Sequence, residues 1–107
     1  MKISLAEAIA ATGGRLAANG GKEVVFVGVA TDTRKGLKGK LFCALKGERF
    51  DAHEFLGAAV EGGAAGVLIS REAGPLGVPA ILAPDTQRAL GLLAKAARRK
   101  AGFKVAA

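Results

Sequence analysis

Two basic, glycine-containing turns lie on either side of a short apolar run in the first half of the chain. Thr31 to His53 reads TDTRKGLKGKLFCALKGERFDAH, and its basic residues flank the run Leu41–Leu45. Glycine lets backbone N–H groups approach an anion closely, and Arg and Lys side chains pair with phosphate oxygens. The residue types in these turns therefore predict a preformed anion-binding rim.

The turns contain neither of the common nucleotide-binding motifs. The Gly-Lys pairs at 21–22 and 39–40 are followed by Glu and Leu, so neither forms the G-x-x-x-x-G-K-[ST] loop that cradles ATP phosphates. G-x-G-x-x-G after a strand is also absent from the sequence. One histidine, one cysteine and scattered carboxylates form no evident triad or metal-ligand set. We expect no catalytic residue, metal or cofactor in this chain.

Three side chains of the segment have both a structural and a functional interpretation. Asp32 either fixes its turn by accepting backbone N–H bonds, which we favour, or contacts a substrate. His53 lies beside Asp51, a predicted helix cap, and either hydrogen-bonds locally or contacts a ligand. Cys43 is the only cysteine, so it forms no internal disulfide, and we predict that it is a buried small hydrophobic residue.

The composition fits one small basic domain. The chain has 107 residues, a formal net charge of +7, five Phe and no Trp or Tyr. Such a charge suits nucleic acid, a membrane surface or a phosphorylated small molecule, but few aromatic residues are available to stack on bases. No apolar run approaches the roughly 18 residues of a membrane span, and Glu7 interrupts the N-terminal apolar stretch. We expect a soluble, cytoplasmic, monomeric domain without membrane or nucleic-acid partners.

Strands and helices are predicted to alternate along the chain. Ser4 and Glu7 form an S-x-x-E capping box for a first helix that ends at Gly13-Gly14. The other predicted elements are strands at 23–30, 40–45, 66–70 and 78–83, helices from Asp51 to about Glu61 and from Asp85-Thr86, and the start of a strand at 103–107. This order predicts a single small α/β domain with a mixed β-sheet flanked by helices, mixed because strands 23–30 and 40–45 are close in sequence.

Three sequence stretches resemble the N-terminal domain of the Mur ligases. They are T-D-T-R at 31–34, G-K-L-F-C-A-L-K-G-E-R-F-D-A-H at 39–53 and G-G-A-A-G-V-L-I-S-R at 62–71, and the resemblance covers almost the whole chain. The most specific part is A-L-K-G-E-R-F-D-A-H. It is similar to the branch that adds D-alanyl-D-alanine to UDP-N-acetylmuramoyl-tripeptide in peptidoglycan synthesis, whereas ligases of the preceding step normally lack K-G-E-R-F.

The resemblance implies that residues 1–102 recognise the UDP end of UDP-N-acetylmuramoyl-tripeptide. The implied UDP-binding residues are Thr31, Thr33, Arg34, Lys46, Gly47, Glu48, Arg49 and Phe50. Thr33 would offer a hydroxyl to the nucleotide, backbone groups of 48–50 would contact the uracil edge, and Phe50 would cover a ring. Arg34 either joins this site or anchors its own turn.

The resemblance also implies a longer enzyme. Residues 103–107 would begin the strand that leads to an ATP-binding central domain, followed by a C-terminal domain that receives the dipeptide. ATP and magnesium would act there, so the 107 residues alone should be inactive. Two alternatives stay open: a free-standing basic module that binds anions or nucleic acid, and the N-terminal domain of a ligase for the preceding step.

Overall fold

The computed structural model describes residues 3–18, 24–31, 36–45, 55–71, 77–98 and 104–105, and the statements below concern these residues. These residues form eight strands and three helices. The elements in chain order are β1 (Ile3–Ser4), α1 (Leu5–Thr12), β2 (Arg15–Ala18), β3 (Val25–Phe26), β4 (Gly28–Ala30), β5 (Leu41–Cys43), α2 (Leu56–Glu61), β6 (Gly66–Ile69), β7 (Ala80–Leu82), α3 (Thr86–Arg98) and β8 (Lys104–Val105).

The central sheet has six strands in the order β2-β7-β6-β5-β4-β8. Strand β2 pairs antiparallel with β7, and the other neighbours are parallel. The predicted fold class, an α/β domain with a mixed sheet flanked by helices, is confirmed. Our reason for expecting a mixed sheet was wrong, because β4 and β5 are parallel, with Val29 opposite Leu41. The antiparallel strand is instead β2.

The strand predicted at 23–30 is divided into two. Strand β3 pairs antiparallel with β1 in a separate two-stranded sheet, where Ile3 lies opposite Phe26. Strand β4 belongs to the central sheet, and the break falls at Val27. The Val27 N–H donates to the Gly39 carbonyl at 2.9 Å, so the bend is held by a bond to the turn that precedes β5. Sequence alternation did not reveal this break.

The segment 36–40 returns the chain to the edge of the sheet where β4 and β5 begin. Leu37 is buried, the Lys40 N–H donates to its carbonyl at 2.9 Å, and the Gly39 N–H donates to the Gly63 carbonyl at 3.1 Å. Gly39 has φ +75°, a conformation that glycine adopts without steric cost. Because the chain crosses to the opposite edge before β5 starts, β5 can run parallel to β4 despite the short connection.

Helices cover both faces of the central sheet, since side chains of β4, β5, β6 and β7 alternate between two apolar clusters. Leu41 and Cys43 of β5 join the cluster that contains Ala8 of α1 and Leu93 of α3. Phe42 of the same strand faces the second cluster. The second cluster comprises Ala30, Leu37, Phe42, Ala44, Leu56, Ala59, Ala64, Val67, Ile69 and Ala80. Helices α1 and α3 therefore lie on one face and α2 on the other.

Local capping signals define two of the helices as predicted. The Ser4 N–H donates to Glu7 Oε1 at 3.0 Å and the Glu7 N–H donates to Ser4 Oγ at 3.1 Å, which completes the capping box of α1. Gly13 ends α1 with φ +69°. At α3 the Arg88 N–H donates to Asp85 Oδ1 at 3.0 Å, so Asp85 is the capping residue.

Helix α2 begins later than predicted. Phe55 precedes its first residue, Leu56, and makes no capping bond through its side chain. Asp51, the predicted cap, lies outside the described residues together with His53 and Asp32. Gly62 follows the last residue of α2, as predicted.

Candidate functional site

The ends of two neighbouring parallel strands meet at one edge of the central sheet. Ala30, the last residue of β4, lies opposite Phe42 of β5. Thr31, half-buried, follows β4 directly, and Ala44-Leu45 follow β5. Parallel strands present their carboxyl ends at the same edge, which is where open α/β sheets bind ligands. The two basic turns therefore begin at the same edge, which we call the β4–β5 edge.

The order of strands reverses at β4. Strands β5, β6 and β7 follow it on one side, and the chain then crosses through α3 to place β8 on the other side, with Gly28 opposite Lys104. A reversal of this kind opens a crevice at the carboxyl ends of the strands. Thr31 lies at the end of the strand where the reversal occurs.

Most of the predicted site residues lie outside the part of the chain that the structure describes. These are Thr33 and Arg34 in the first turn and Lys46, Gly47, Glu48, Arg49 and Phe50 in the second. Among the predicted set, Thr31 is described, at the β4–β5 edge. The role of each residue toward UDP therefore stays a prediction.

Two lysines between the turns belong to the other edge of the sheet. Lys38 is exposed and Lys40 is half-buried, immediately before β5 begins. The Lys40 carbonyl accepts from the Ala65 N–H at 2.8 Å, next to the first residue of β6. Their backbone is thus held at the amino ends of the strands, away from the β4–β5 edge.

Buried hydrogen bonds hold the carboxyl end of β5. The Ala44 N–H donates to the Leu68 carbonyl of β6 at 2.9 Å. The Thr86 Oγ1 hydroxyl, in the first turn of α3, donates to the Ala44 carbonyl at 2.9 Å. The Cys43 Sγ thiol donates to the Thr86 carbonyl at 3.6 Å. The position at which the chain leaves β5 is therefore fixed by both β6 and α3.

Sequence reasoning did not find this role of Thr86. The sequence pattern predicts only that a helix starts at Asp85-Thr86, and Ala44, the partner of Thr86, lies 42 residues away in the sequence. A contact between such distant residues leaves no local pattern.

Burial suppresses the acidity of Cys43. The side chain is fully buried, and removal from water raises the pKa of its thiol from 9.0 to about 12. The thiolate is the reactive form of cysteine, so the folded protein keeps this group inert. The predicted role of Cys43 as a small buried side chain is confirmed by its burial.

The same pKa shift predicts a loss of stability at alkaline pH. Unfolding returns the thiol to its ordinary pKa of 9.0, so above that pH the unfolded chain releases a proton that the folded chain keeps until about 12. The stability contribution is complete below pH 9 and declines as pH rises toward 12, by about 1 kcal/mol near pH 10. Urea unfolding at about pH 8 and 10 measures the decline.

Cys43→Ala is the control for this prediction. Its free energy of unfolding should fall less between the two pH values than that of the unsubstituted chain, since other titrating groups are common to both proteins. Equal declines in the two proteins would contradict the assignment to Cys43.

The described residues contain neither a metal-ligand cluster nor a membrane-spanning helix. No group of three or more His, Cys, Asp or Glu side chains is placed to hold a metal ion within the described ranges. No helix among the same residues has the length and apolar character needed to cross a membrane.

Part of this chain is similar in sequence to known ligases. No protein-family model matches the sequence. The chain is 44% identical over 81 residues to the UDP-N-acetylmuramoyl-tripeptide–D-alanyl-D-alanine ligase of Haemophilus influenzae, covering 76% of this chain and 18% of the relative. It is 45% identical over 89 residues to the ligase of the same name from Escherichia coli, and this match covers 81% of this chain and 19% of the relative. The chain thus spans less than a fifth of the length of these curated relatives.

The fold comparison agrees with the sequence comparison. A crystal structure of MurF from Acinetobacter baumannii aligns with a TM-score of 0.77 and 29% identity, covering 94% of this chain and 22% of that one. Ligases named for adding 2,6-diaminopimelate to UDP-N-acetylmuramoyl-L-alanyl-D-glutamate also match this chain. The similarity therefore extends to two kinds of ligase, both of which take a UDP-N-acetylmuramoyl peptide by name.

Proposed function

Because the chain has the sequence similarity and the fold of a MurF-like Mur ligase N-terminal domain, we propose that it binds the UDP end of UDP-N-acetylmuramoyl-tripeptide. The observation that carries this proposal is the parallel pairing of β4 and β5. It brings the starts of both basic turns to one edge, beside the reversal of strand order. A nucleotide held there would lie between the two turns.

Each turn has a distinct role in this proposal. Thr31, Thr33 and Arg34 form one wall of the site, and Lys46–Phe50 form the other. Hydroxyl groups and backbone N–H groups suit ribose and uracil, while the basic side chains suit the diphosphate. The buried bonds at Ala44 support a fixed starting point for the second wall.

The proposal extends to the longer protein that the relatives imply. Its reaction is ATP-dependent amide formation between the UDP-linked tripeptide and D-alanyl-D-alanine, carried out in the cytoplasm with central and C-terminal domains of the same enzyme. Magnesium would neutralise the ATP phosphates there. The present sequence has no G-x-x-x-x-G-K-[ST] loop, so its residues do not fit ATP. In this proposal the chain recognises the UDP-linked substrate and does not catalyse the reaction.

A titration with nucleotides tests the proposal. Calorimetry should show that UDP binds the 107-residue chain more tightly than ADP of the same charge, because the site is selective for uracil. Affinity should be modest, since the matched region makes up 18% and 19% of the two relatives, whose remaining length would supply further contacts. A preference for uridine separates this function from general attraction to a protein of net charge +7, which salt screens.

Lys38→Ala is the matched control for charge. It removes one positive charge from the opposite edge of the sheet, so UDP affinity should stay nearly constant. If ADP binds as well as UDP, or a random oligonucleotide binds more tightly than either, the proposal fails and the free-standing anion-binding module replaces it. Assay of the longer protein with D-alanyl-D-alanine and with diaminopimelate distinguishes the two kinds of ligase.

A further inference from the structure

Thr86 is a buried polar residue that joins helix α3 to strand β5. Its side chain is 4% exposed, and its hydroxyl donates to the Ala44 carbonyl at 2.9 Å. Its own carbonyl accepts from Cys43 Sγ at 3.6 Å. The contacts therefore run in both directions between the first turn of α3 and the end of β5.

Capping of α3 does not require the Thr86 hydroxyl. Asp85 performs that role, since its Oδ1 accepts from the Arg88 N–H at 3.0 Å and its carbonyl accepts from the Ala89 N–H at 2.9 Å. Ala89 and Leu93 are buried in the cluster that anchors α3 to the sheet. The hydroxyl is therefore left to act on β5 rather than on its own helix.

The Ala44 carbonyl depends on that hydroxyl. Ala44 is fully buried, and a buried carbonyl that loses its partner must move toward water or stay unpaired at a cost. Its N–H would remain tied to the Leu68 carbonyl. A displacement of the Ala44 carbonyl would therefore change the direction in which Leu45 leaves β5 at the β4–β5 edge.

We propose that Thr86 is a positioning residue for the nucleotide site at the β4–β5 edge. It holds the Ala44 carbonyl so that the chain leaves β5 in the direction that UDP binding needs, without contacting the nucleotide. This inference rests on the proposed function. It adds Thr86, which is 42 residues from Ala44 in the sequence, to the residues that determine the geometry of the site.

Two substitutions of Thr86 isolate the hydroxyl. Thr86→Val keeps the shape and removes the donor, whereas Thr86→Ser keeps the donor. UDP affinity, measured at a temperature where every variant is folded by circular dichroism, should fall about three- to tenfold for Thr86→Val. It should stay within about twofold of the unsubstituted chain for Thr86→Ser. Amide hydrogen exchange at Leu45 should accelerate in Thr86→Val more than exchange at Leu68.

Thr12→Val is the matched control. Thr12 is 7% exposed and its hydroxyl also donates to a backbone carbonyl, that of Ala8, at 2.8 Å. It lies next to β2, at the other end of the strand order from β4 and β8. This variant should lose stability and keep the UDP affinity of the unsubstituted chain.

The outcomes separate this inference from the proposed function. If the unsubstituted chain binds UDP and folded Thr86→Val binds it equally well, the inference is overturned and the proposed function stands. Equal affinity losses in Thr86→Val and Thr12→Val would also overturn it, since they would reflect general destabilisation. If the unsubstituted chain does not bind UDP, the proposed function fails and the inference fails with it.

Discussion

Phe42→Ala is expected to lower the free energy of unfolding by about 3–5 kcal/mol. Phe42 is 1% exposed and belongs to the apolar cluster on the α2 face of the sheet, with Leu37, Leu56 and Val67. Removing the ring forfeits its burial and leaves a cavity that the parallel ladder on both sides of β5 prevents from collapsing. Small domains have total stabilities of about 5–15 kcal/mol, so this loss should be prominent in urea unfolding.

Phe55→Ala is the matched control for the ring. Phe55 keeps 38% of its surface exposed at the start of α2, so its truncation removes less buried area and should cost well below half as much. Urea midpoints of the two variants measure the difference. Comparable losses would show that Phe42 does not lie in the core as described.

Gly66→Ala should be strongly destabilising for a different reason. A Cβ atom at Gly66 would lie 2.8 Å from Cε1 and 2.9 Å from Cζ of Phe26, and 3.1 Å from the Pro79 carbonyl oxygen. Phe26 is fully buried, so its ring has no free space into which to move. Overpacking of this kind costs roughly 1–3 kcal/mol and sometimes more. Thermal unfolding followed by circular dichroism measures the loss.

Gly91→Ala is the same chemical change as Gly66→Ala, but we expect it to stabilise the protein. Gly91 lies within α3, its added Cβ would meet no atom within 4 Å, and its φ is not positive. Alanine there should raise the free energy of unfolding by about 0.5–1 kcal/mol, because glycine is a poor residue for a helix interior. If Gly66→Ala raises the free energy of unfolding as Gly91→Ala is expected to do, or leaves it unchanged, the described packing around Gly66 is wrong.

Elements with local signals could be predicted from the sequence. The capping box of Ser4 and Glu7 located α1, and Asp85 located the start of α3. The apolar runs that became β5, β6 and β7 were also identified, each slightly longer than the observed strand. In these segments, side-chain polarity and backbone hydrogen bonding favour the same element, so the element can be predicted from its own stretch of sequence.

Elements that depend on distant partners could not be predicted in this way. Strand β2 contains two alanines, which have little strand preference, and it forms because β7 pairs with it. Strand β1 has two residues and exists through its pairing with β3. The bend at Val27 is held by Gly39, twelve residues further along the chain. In each case the determining contact is absent from the local pattern.

In the candidate site, too, features with local sequence signals could be predicted and features that depend on distant contacts could not. The basic turns and Thr31 were apparent because glycine and cationic residues are concentrated there. Their meeting at one edge depends on the parallel pairing of β4 and β5, which short sequence separation argued against. Thr86 was missed because a threonine after an aspartate is typical of any helix start.

Residue-by-residue mapping of UDP binding is the most direct test of the central claim. Amide chemical shifts of the 107-residue chain should change at Thr31 and Leu45 when UDP is added, because both residues lie at the β4–β5 edge. Lys38 at the opposite edge and Lys95 on α3 should change little. Shifts at Lys38 and Lys95 as large as those at Thr31 and Leu45, or an identical pattern with a random oligonucleotide, would contradict a uridine nucleotide site at this edge.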